Sequence, residues 1–279
     1  MLDIPTTGFA TSVTKHNVEL DCMCDWIEGC VSFSAETLSL SEIVDSLCEN
    51  GIYRSQDFAK EHVANAFTEL SRRAACLCAG APYEIRTARV VRLHQWGEVP
   101  AFAFCLMLSL QVLYRSCFRA KFGSDYTEQG VLFERLTVAS LERLGWTAHS
   151  TAWSKQASQT IRQRVEALAG HLGEPSRADG IDRWTDENVK DGGLDVVCHV
   201  GFTDRWSGRP LLFVQCASGE NWRDKRATPS LDLWDKLLDV ATRPRRAISI
   251  PFALLADEFR RAANYDALYL NGLARFWDR

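Results

Sequence analysis

The sequence predicts an α/β protein, because segments with helical periodicity alternate with short apolar runs typical of strands. In the C-terminal half, the segments follow the order helix, strand, helix, strand, strand, helix, strand, helix. The composition is that of a globular protein: of 279 residues, 46% are hydrophobic and 24% are charged. A chain of this length is long for one core. We expect a mostly helical N-terminal region, 1–124, and an α/β domain, 125–279.

The N-terminal region is predicted to be mainly helical. From Ser41 the apolar residues fall on one helical face, and Asn50-Gly51 ends this segment as a C-cap would. Ser55 precedes a longer helical pattern, and Pro100 opens a very apolar one. The predicted elements are one or two strands within 1–35, helices at 41–49, 55–78 and 100–114, and a strand at 85–93.

The C-terminal domain carries the α/β pattern. Thr127 is predicted as the N-cap of an amphipathic helix that ends at Gly145. Residues 174–189 are polar and are predicted to form a loop, and two strands joined by a loop lie within 190–225. The other predicted elements are strands at 146–153, 247–252 and 267–273, and helices at 156–172, 231–240 and 253–263.

Several classes of protein are excluded by composition. No stretch reaches the roughly 18 apolar residues of a transmembrane helix, so no membrane span is expected. The N-terminus lacks a basic start followed by an apolar core, so no secretory signal is expected. The ten cysteines lie mostly in apolar runs, which favours free thiols and a cytoplasmic location. The spacing Cys22-x-Cys24 is too tight for the usual structural zinc site.

The net charge of −4 is unevenly distributed. Residues 1–60 contain ten acidic and three basic residues, a net charge of −7, so residues 61–279 carry +3. The acidic N-terminal region is either a docking face for a protein partner or a solvated face. A nucleic-acid surface is expected in the remainder. There the basic residues form either a phosphate-binding rim or a solvated face: Arg223, Lys225, Arg226, Arg243, Arg245 and Arg246.

Three polar residues stand out in the C-terminal domain. Gln215 lies in an otherwise apolar strand, where an unpaired amide would cost about 1–3 kcal/mol, so a partner is expected. Asp195 follows the Gly192-Gly193 turn before the preceding strand, and Glu134 lies on the first helix of the domain. Two carboxylates and an amide oxygen are hard ligands that suit Mg²⁺, which can polarise a phosphodiester and activate water.

The residues around these positions resemble a known superfamily. Gly-x-x-Phe-Glu134-x-Leu resembles the opening helix of the restriction-endonuclease-like nucleases, the PD-(D/E)xK superfamily. Gly-Gly-Leu-Asp195 and Phe-Val-Gln215-Cys-Ala217 resemble the Gly-x-Asp and Gln-x-Lys half-motifs of its methylated-DNA-restriction branch. The resemblance covers about residues 127–225.

This resemblance implies a fold and an activity. The fold would be a restriction-endonuclease-like central mixed sheet flanked by helices, and the activity that of a metal-dependent DNA endonuclease. By the same resemblance Glu134, Asp195 and Gln215 would be ligands of Mg²⁺ or Mn²⁺. The expected setting is bacterial defence against phage, and a homo-oligomer is left open.

The sequence departs from the superfamily pattern at the lysine. A lysine follows two residues after the Glu or Gln in that pattern, where it positions the water and stabilises charge on the phosphate. This position is Ala217 here. Lys225 is the best replacement, Lys190 is the second, and Glu220 is a candidate for the metal shell. The alternative is a catalytically inactive nuclease-like module that binds nucleic acid or a protein partner.

Overall fold

The computed structural model of the chain describes residues 1–10, 18–77, 80–151, 160–184, 193–201, 208–263 and 269–271. These residues form a mixed α/β protein, which confirms the predicted class. They divide into two compact units. The first comprises Met1–Asp125 and Pro251–Ala256, and the second comprises Tyr126–Ile250 and Asp257–Asn271. The domain boundary predicted between residues 124 and 125 remains a prediction.

The first unit is mostly helical. Its described elements are α1 (Leu20–Phe33), β1 (Thr37–Ser39), α2 (Leu40–Glu49), α3 (Gln56–Leu77), β2 (Tyr83–Arg86), β3 (Arg89–Arg92), α4 (Pro100–Leu113) and α5 (Arg115–Phe122). The strands pair antiparallel in the order β1-β3-β2. Within the described residues, no single helix has the length and apolarity needed to cross a membrane. The pair α4 and α5 meets that test only together, bent by 107°.

Two predictions for the first unit are wrong. Helix α1 (Leu20–Phe33) lies within the region 1–35, where one or two strands were predicted. Nine of its 14 residues are buried, so its apolar run lacks the polar face that reveals a helix. The strand predicted at 85–93 is a hairpin of β2 and β3. Its turn places Thr87 and Ala88 at positive φ, residues that give no turn signal in a sequence.

A buried network of charges connects α1, α3 and β2. Arg73 is 4% exposed, and its Nη1 lies 2.7 Å from an Asp25 oxygen and 3.0 Å from a Glu28 oxygen. The Tyr83 hydroxyl donates to Glu28 at 2.6 Å, and Glu69 also contacts Arg73, at 3.4 Å. Burial disfavours the charged form of Arg73, but Glu28 and Asp25 outweigh burial and raise its pKa. The network therefore pairs the buried charges of α1 and α3, and the Tyr83 hydroxyl connects β2 to them by a hydrogen bond.

The same part of α3 binds the segment Pro251–Ala256. Arg72 Nη2 donates to the Leu254 carbonyl at 2.9 Å, and Arg73 Nη2 donates to the Ala253 carbonyl at 3.5 Å. Both contacts lie within the first unit. The cysteines of the described residues are free thiols, as predicted, although Cys76 and Cys117 are exposed rather than buried.

The second unit contains the mixed sheet. Its described elements are α6 (Thr127–Arg143), β4 (Thr147–Ser150), α7 (Ile161–Leu172), α8 (Ala178–Trp184), β5 (Val196–His199), β6 (Leu211–Cys216), a 3-10 helix (Glu220–Ala227), α9 (Leu231–Leu237), β7 (Arg245–Ser249), α10 (Ala256–Ala263) and β8 (Tyr269–Asn271). The strand order is β4-β5-β6-β7-β8. Strands β4, β5 and β6 pair antiparallel, whereas β7 and β8 continue the sheet in parallel.

Helices cover both faces of this sheet. Along β6, Leu211 and Phe213 face a cluster built with α7, α8 and α9, whereas Leu212 and Val214 face α6. This alternation follows from the two-residue period of a strand. Both faces are apolar, so the continuous apolar run 211–214 is typical of a strand buried on both sides.

Two predictions for this unit also fail. Helix α8 lies in the predicted loop 174–189. Asp179-Gly180 gives a turn signal, but a Cβ at Gly180 would lie 1.8 Å from the Lys236 carbonyl oxygen, so the glycine serves close helix packing. Thr127 is not the N-cap of α6; Tyr126 is, without a side-chain cap bond. The predicted positions 152–159 and 185–189 lie outside the described residues.

Three histidines lie together in the second unit. The ring centroids of His149 and His171 are 4.7 Å apart, and those of His149 and His199 are 6.2 Å apart. Burial and then His171 lower the pKa of His149. Burial, Arg209 and His149 lower the pKa of His199. The fold therefore favours the neutral forms of His149 and His199.

We expect the free energy of unfolding to fall as the pH drops below about 6.5, the ordinary pKa of histidine. The unfolded chain binds these protons more readily than the folded chain, so acidification favours unfolding. Urea unfolding at about pH 5.5 and about pH 7.5 measures the effect. The double variant His149→Gln/His199→Gln should lose less stability than the wild type on acidification. His94→Gln, in the first unit, is the control; equal losses in all three proteins would contradict the prediction.

Candidate functional site

The predicted site residues lie at the end of the five-stranded sheet where β6 and β7 terminate. Asp195 directly precedes β5, and Gln215 is the penultimate residue of β6. Val196 pairs with Val214 in this antiparallel ladder, and the Asp195 N–H donates to the Val214 carbonyl at 3.0 Å. Asp195 and Gln215 are therefore neighbours across the ladder.

Gln215 is buried, and both hydrogens of its side-chain amide have acceptors. Nε2 donates to Oδ2 of Asp195 and, at 3.2 Å, to the Cys216 carbonyl. The same Oδ2 accepts the backbone N–H of Cys216 at 2.6 Å. The partner expected of a buried glutamine is therefore present, and the amide nitrogen faces Asp195.

Gly193, in the predicted Gly-Gly turn, permits close packing around Gln215. Its φ is +74°, and a Cβ there would lie 2.8 Å from Thr228 Cβ. The Thr228 hydroxyl donates to the Lys225 carbonyl at 2.6 Å and lies 3.2 Å from Gln215 Oε1. Thr228 therefore connects the 3-10 helix that carries Lys225 to Gln215.

The thiol of Cys216 is held in its neutral form. It follows Gln215 on β6, so its side chain points to the opposite face, toward α6. Burial raises the pKa of its thiol well above the ordinary range, the charges of Asp195 and Glu134 raise it further, and Thr137 and Lys225 oppose them. The protonated thiol is not a nucleophile at neutral pH.

Helix α6 contributes two polar side chains to this region. The Ser150 hydroxyl donates to Glu134 Oε2 at 3.5 Å. Thr137, one turn later on α6, lies with its hydroxyl 2.9 Å from that of Ser249, and both are buried. Sequence reasoning missed Thr137 and Ser249. The i, i+3 spacing from Glu134 to Thr137 was the available signal.

The position where the superfamily pattern has a lysine is buried. Ala217 is fully buried, and its N–H donates to the Ser249 carbonyl at 2.8 Å. Lys225 is half-buried, and no ion pair joins it to Asp195 among the described residues. Lys190 lies outside the described residues. Glu220 begins the 3-10 helix and is exposed.

The predicted basic rim divides into two surfaces. Near the site, Arg223 pairs with Glu258, and Arg226 donates to the Arg223 carbonyl at 2.8 Å. The run 243–246 lies where β7 begins, at the opposite end of that strand from Ser249.

Neither a family model, nor a curated protein, nor a solved structure matches this chain.

The donor chemistry of the three predicted ligands fits a hard cation. Glu134 and Asp195 offer carboxylate oxygens, and Gln215 offers an amide oxygen, which together suit Mg²⁺ better than softer metals. For Gln215 to bind the same cation as Asp195, its side-chain amide must rotate, because the amide nitrogen and not the oxygen faces Asp195. A half turn of that amide exchanges nitrogen for oxygen and gives up its N–H bonds to Asp195 and to the Cys216 carbonyl.

Another acidic group lies in the first unit. The ligand atoms of Glu19, Asp21 and Cys22 lie within 4.8 Å of one another. Burial, followed by the charge of Asp21, raises the pKa of the Cys22 thiol to about 12. Without a bound metal the thiol is therefore protonated at neutral pH. For Mg²⁺ this group offers only two carboxylates, that of the exposed Glu19 and that of the half-buried Asp21.

Proposed function

We propose that the second unit is a metal-dependent endonuclease that hydrolyses DNA phosphodiester bonds and has a restriction-endonuclease-like fold. The observation that carries the proposal is the juxtaposition of Asp195 and Gln215 across the β5–β6 ladder, where the Gln215 amide and the Cys216 N–H both donate to the Asp195 carboxylate. The element order supports the fold: α6 is followed by antiparallel β4, β5 and β6 and then by parallel β7.

In this proposal Glu134, Asp195 and Gln215 hold one divalent cation, Mg²⁺ or Mn²⁺. The bound cation would polarise the phosphodiester and lower the pKa of an attacking water. The Cys216 N–H orients the Asp195 carboxylate before substrate binds. Lys225, half-buried on the 3-10 helix that follows β6, supplies the positive charge that stabilises the negative charge developing on the phosphate.

The biological setting is part of the same proposal. DNA as substrate and anti-phage defence in a bacterium are supported by the resemblance of residues 127–225 to the superfamily, and a cytoplasmic location is supported by the free thiols of the described cysteines. The acidic region 1–60, with its net charge of −7, is the proposed docking surface for a protein partner. Self-association into a homo-oligomer stays open.

The second candidate function is an inactive nuclease-like module that binds nucleic acid or a partner. Two observations favour it. Ala217 is buried where the superfamily pattern has its lysine, and the Gln215 amide satisfies Asp195 without a cation. Conversion of supercoiled plasmid to nicked circles, with Mg²⁺ or Mn²⁺ and with a chelator, separates the two functions. The endonuclease requires cleavage that the chelator abolishes, whereas the module binds DNA without cleaving it.

Lys225→Ala is expected to lower the metal-dependent nicking rate about 10²-fold at saturating DNA, because the positive charge proposed to stabilise the phosphate is lost. Arg226→Ala is the matched control on the same 3-10 helix. It removes a neighbouring guanidinium, whose Nε donates to the Arg223 carbonyl. This variant should change mainly the apparent KM. Equal rates in Lys225→Ala and the wild type would exclude Lys225 as the replacement for the missing lysine.

A further inference from the structure

A groove with a volume of about 840 Å³ opens in the second unit where the parallel strands β6 and β7 begin. This end of the sheet is opposite to the end that carries Asp195 and Gln215. The apolar part of its lining includes Leu211, Leu212 and the half-buried Trp146. Its volume is in the range of sites that enclose a small-molecule ligand.

The lining of the groove is positively charged. It contains Arg243, Arg245 and Arg246 against one acidic residue, Asp232. Arg243 is neutralised, because it pairs with Asp232 at 2.7 Å and with Asp235 at 3.1 Å. Arg245 is exposed and forms no ion pair with any residue that the structure describes. Arg245 therefore presents a positive charge that suits an anionic ligand.

Arg245 and Arg246 are the first two residues of β7, so their side chains leave opposite faces of the sheet. Because both line the groove, it curves around the end of the strand. The Nε of Arg246 donates to the Pro229 carbonyl at 3.0 Å, which orients that side chain. Arg245 pairs with Leu212 in the sheet, so it lies on the same face as Leu212 and Trp146, and its guanidinium suits a phosphate, whose oxygens accept its N–H bonds.

The rim of the groove is fixed by a buried carboxylate. Glu174 is 8% exposed, and it accepts the Gly208 N–H at 3.2 Å and the Ala241 N–H at 3.4 Å. Gly208 lines the groove, as does Thr242, which follows Ala241. Glu174 therefore connects two loops of the rim. A site whose walls are fixed in this way loses less entropy when a ligand binds.

We propose that this groove binds a phosphorylated ligand of mononucleotide size, with its phosphate at Arg245 and its flat ring against Trp146. An indole face is a good stacking surface for an aromatic base, and Arg245 supplies charge-assisted hydrogen bonds. The proposal is independent of the endonuclease proposal, because the groove shares no residue with the candidate metal site.

Isothermal titration calorimetry of the full chain with ADP, without divalent cations or DNA, tests this proposal. We expect saturable binding at one site, which Arg245→Ala weakens about 10- to 100-fold because a contact to phosphate is lost. Arg243→Ala is the matched control and should change the affinity less than about twofold, because Arg243 is already paired. Trp146→Leu should weaken binding of ADP but not of inorganic pyrophosphate.

Three outcomes would overturn the proposal. Equal losses in Arg243→Ala and Arg245→Ala would indicate unspecific attraction by charge. Adenosine that binds as tightly as ADP would remove the role of the phosphate. A single-stranded oligonucleotide that binds through Arg245 when ADP does not would assign the groove to nucleic acid. Circular dichroism checks that each variant is folded, and Arg245→Lys, which retains the charge, should lose less affinity than Arg245→Ala.

Discussion

Asp195→Asn should lower the metal-dependent nicking rate by at least about 10²-fold, because it removes one of the two carboxylates proposed to hold the cation. Asparagine has the same size and keeps one acceptor oxygen for the Cys216 N–H, which lies 2.6 Å from the carboxylate. The substitution therefore removes charge with little change in shape. The affinity for Mn²⁺, measured by calorimetry, should fall together with the rate.

Stability must be separated from activity in this experiment. Gln215 also donates to Asp195, so Asp195→Asn should lower the free energy of unfolding by about 1–2 kcal/mol, which leaves the protein folded. Asp224→Asn, the same substitution at an exposed residue beside Lys225, is the control and should change the rate less than about twofold. If Asp195→Asn nicks DNA as fast as the wild type, the proposed metal site is wrong.

The juxtaposition of Asp195 and Gln215 could be predicted from the sequence, because it depends on local information. Two apolar runs joined by a loop form an antiparallel pair, which determines the residues that face each other. The direction of the Gln215 amide could not be predicted. It depends on which acceptors surround the side chain, and one of these, the Cys216 carbonyl, becomes available only through the conformation at the end of β6.

The role of Lys225 as the replacement for the missing lysine could not be predicted from its position in the chain. Lys225 is placed by the 3-10 helix that follows β6 and by the Thr228 hydroxyl, which donates to the Lys225 carbonyl. Helices α1 and α8 were missed for opposite reasons. Helix α1 is buried around most of its circumference, whereas in α8 Ile181 is the one buried apolar side chain among those that the structure describes, so neither shows the one-sided pattern of a surface helix.

The buried charges of the first unit were also invisible in the sequence. Arg73 lies 45 residues from Glu28 and 48 from Asp25, so no helical spacing indicates that they pair. The acidic residues of α1 contributed to the predicted docking face, yet Glu28 is 1% exposed and is paired internally. Part of the acidic excess in residues 1–60 therefore serves the core of the unit rather than its surface.

Arg73→Met is expected to lower the free energy of unfolding by about 3–5 kcal/mol. Methionine fills a similar volume, but it leaves Glu28, at 1% exposure, and Asp25 without their buried cation. Arg72→Met is the matched control at the next position. Arg72 is 40% exposed and pairs with Glu69 at the surface, so its replacement should cost about 1 kcal/mol or less. Urea unfolding followed by circular dichroism measures both variants.

A second substitution separates loss of charge pairing from loss of packing. In Arg73→Met/Glu28→Gln the amide is neutral, and its oxygen still accepts the Tyr83 hydroxyl, which bonds Glu28 at 2.6 Å. The double variant should therefore recover part of the stability lost in Arg73→Met. If Arg73→Met is insoluble, Arg73→Lys keeps the charge but loses the forked contacts and should be intermediate. Equal stability of the Arg72→Met and Arg73→Met variants would show that the buried network contributes no more than a surface ion pair.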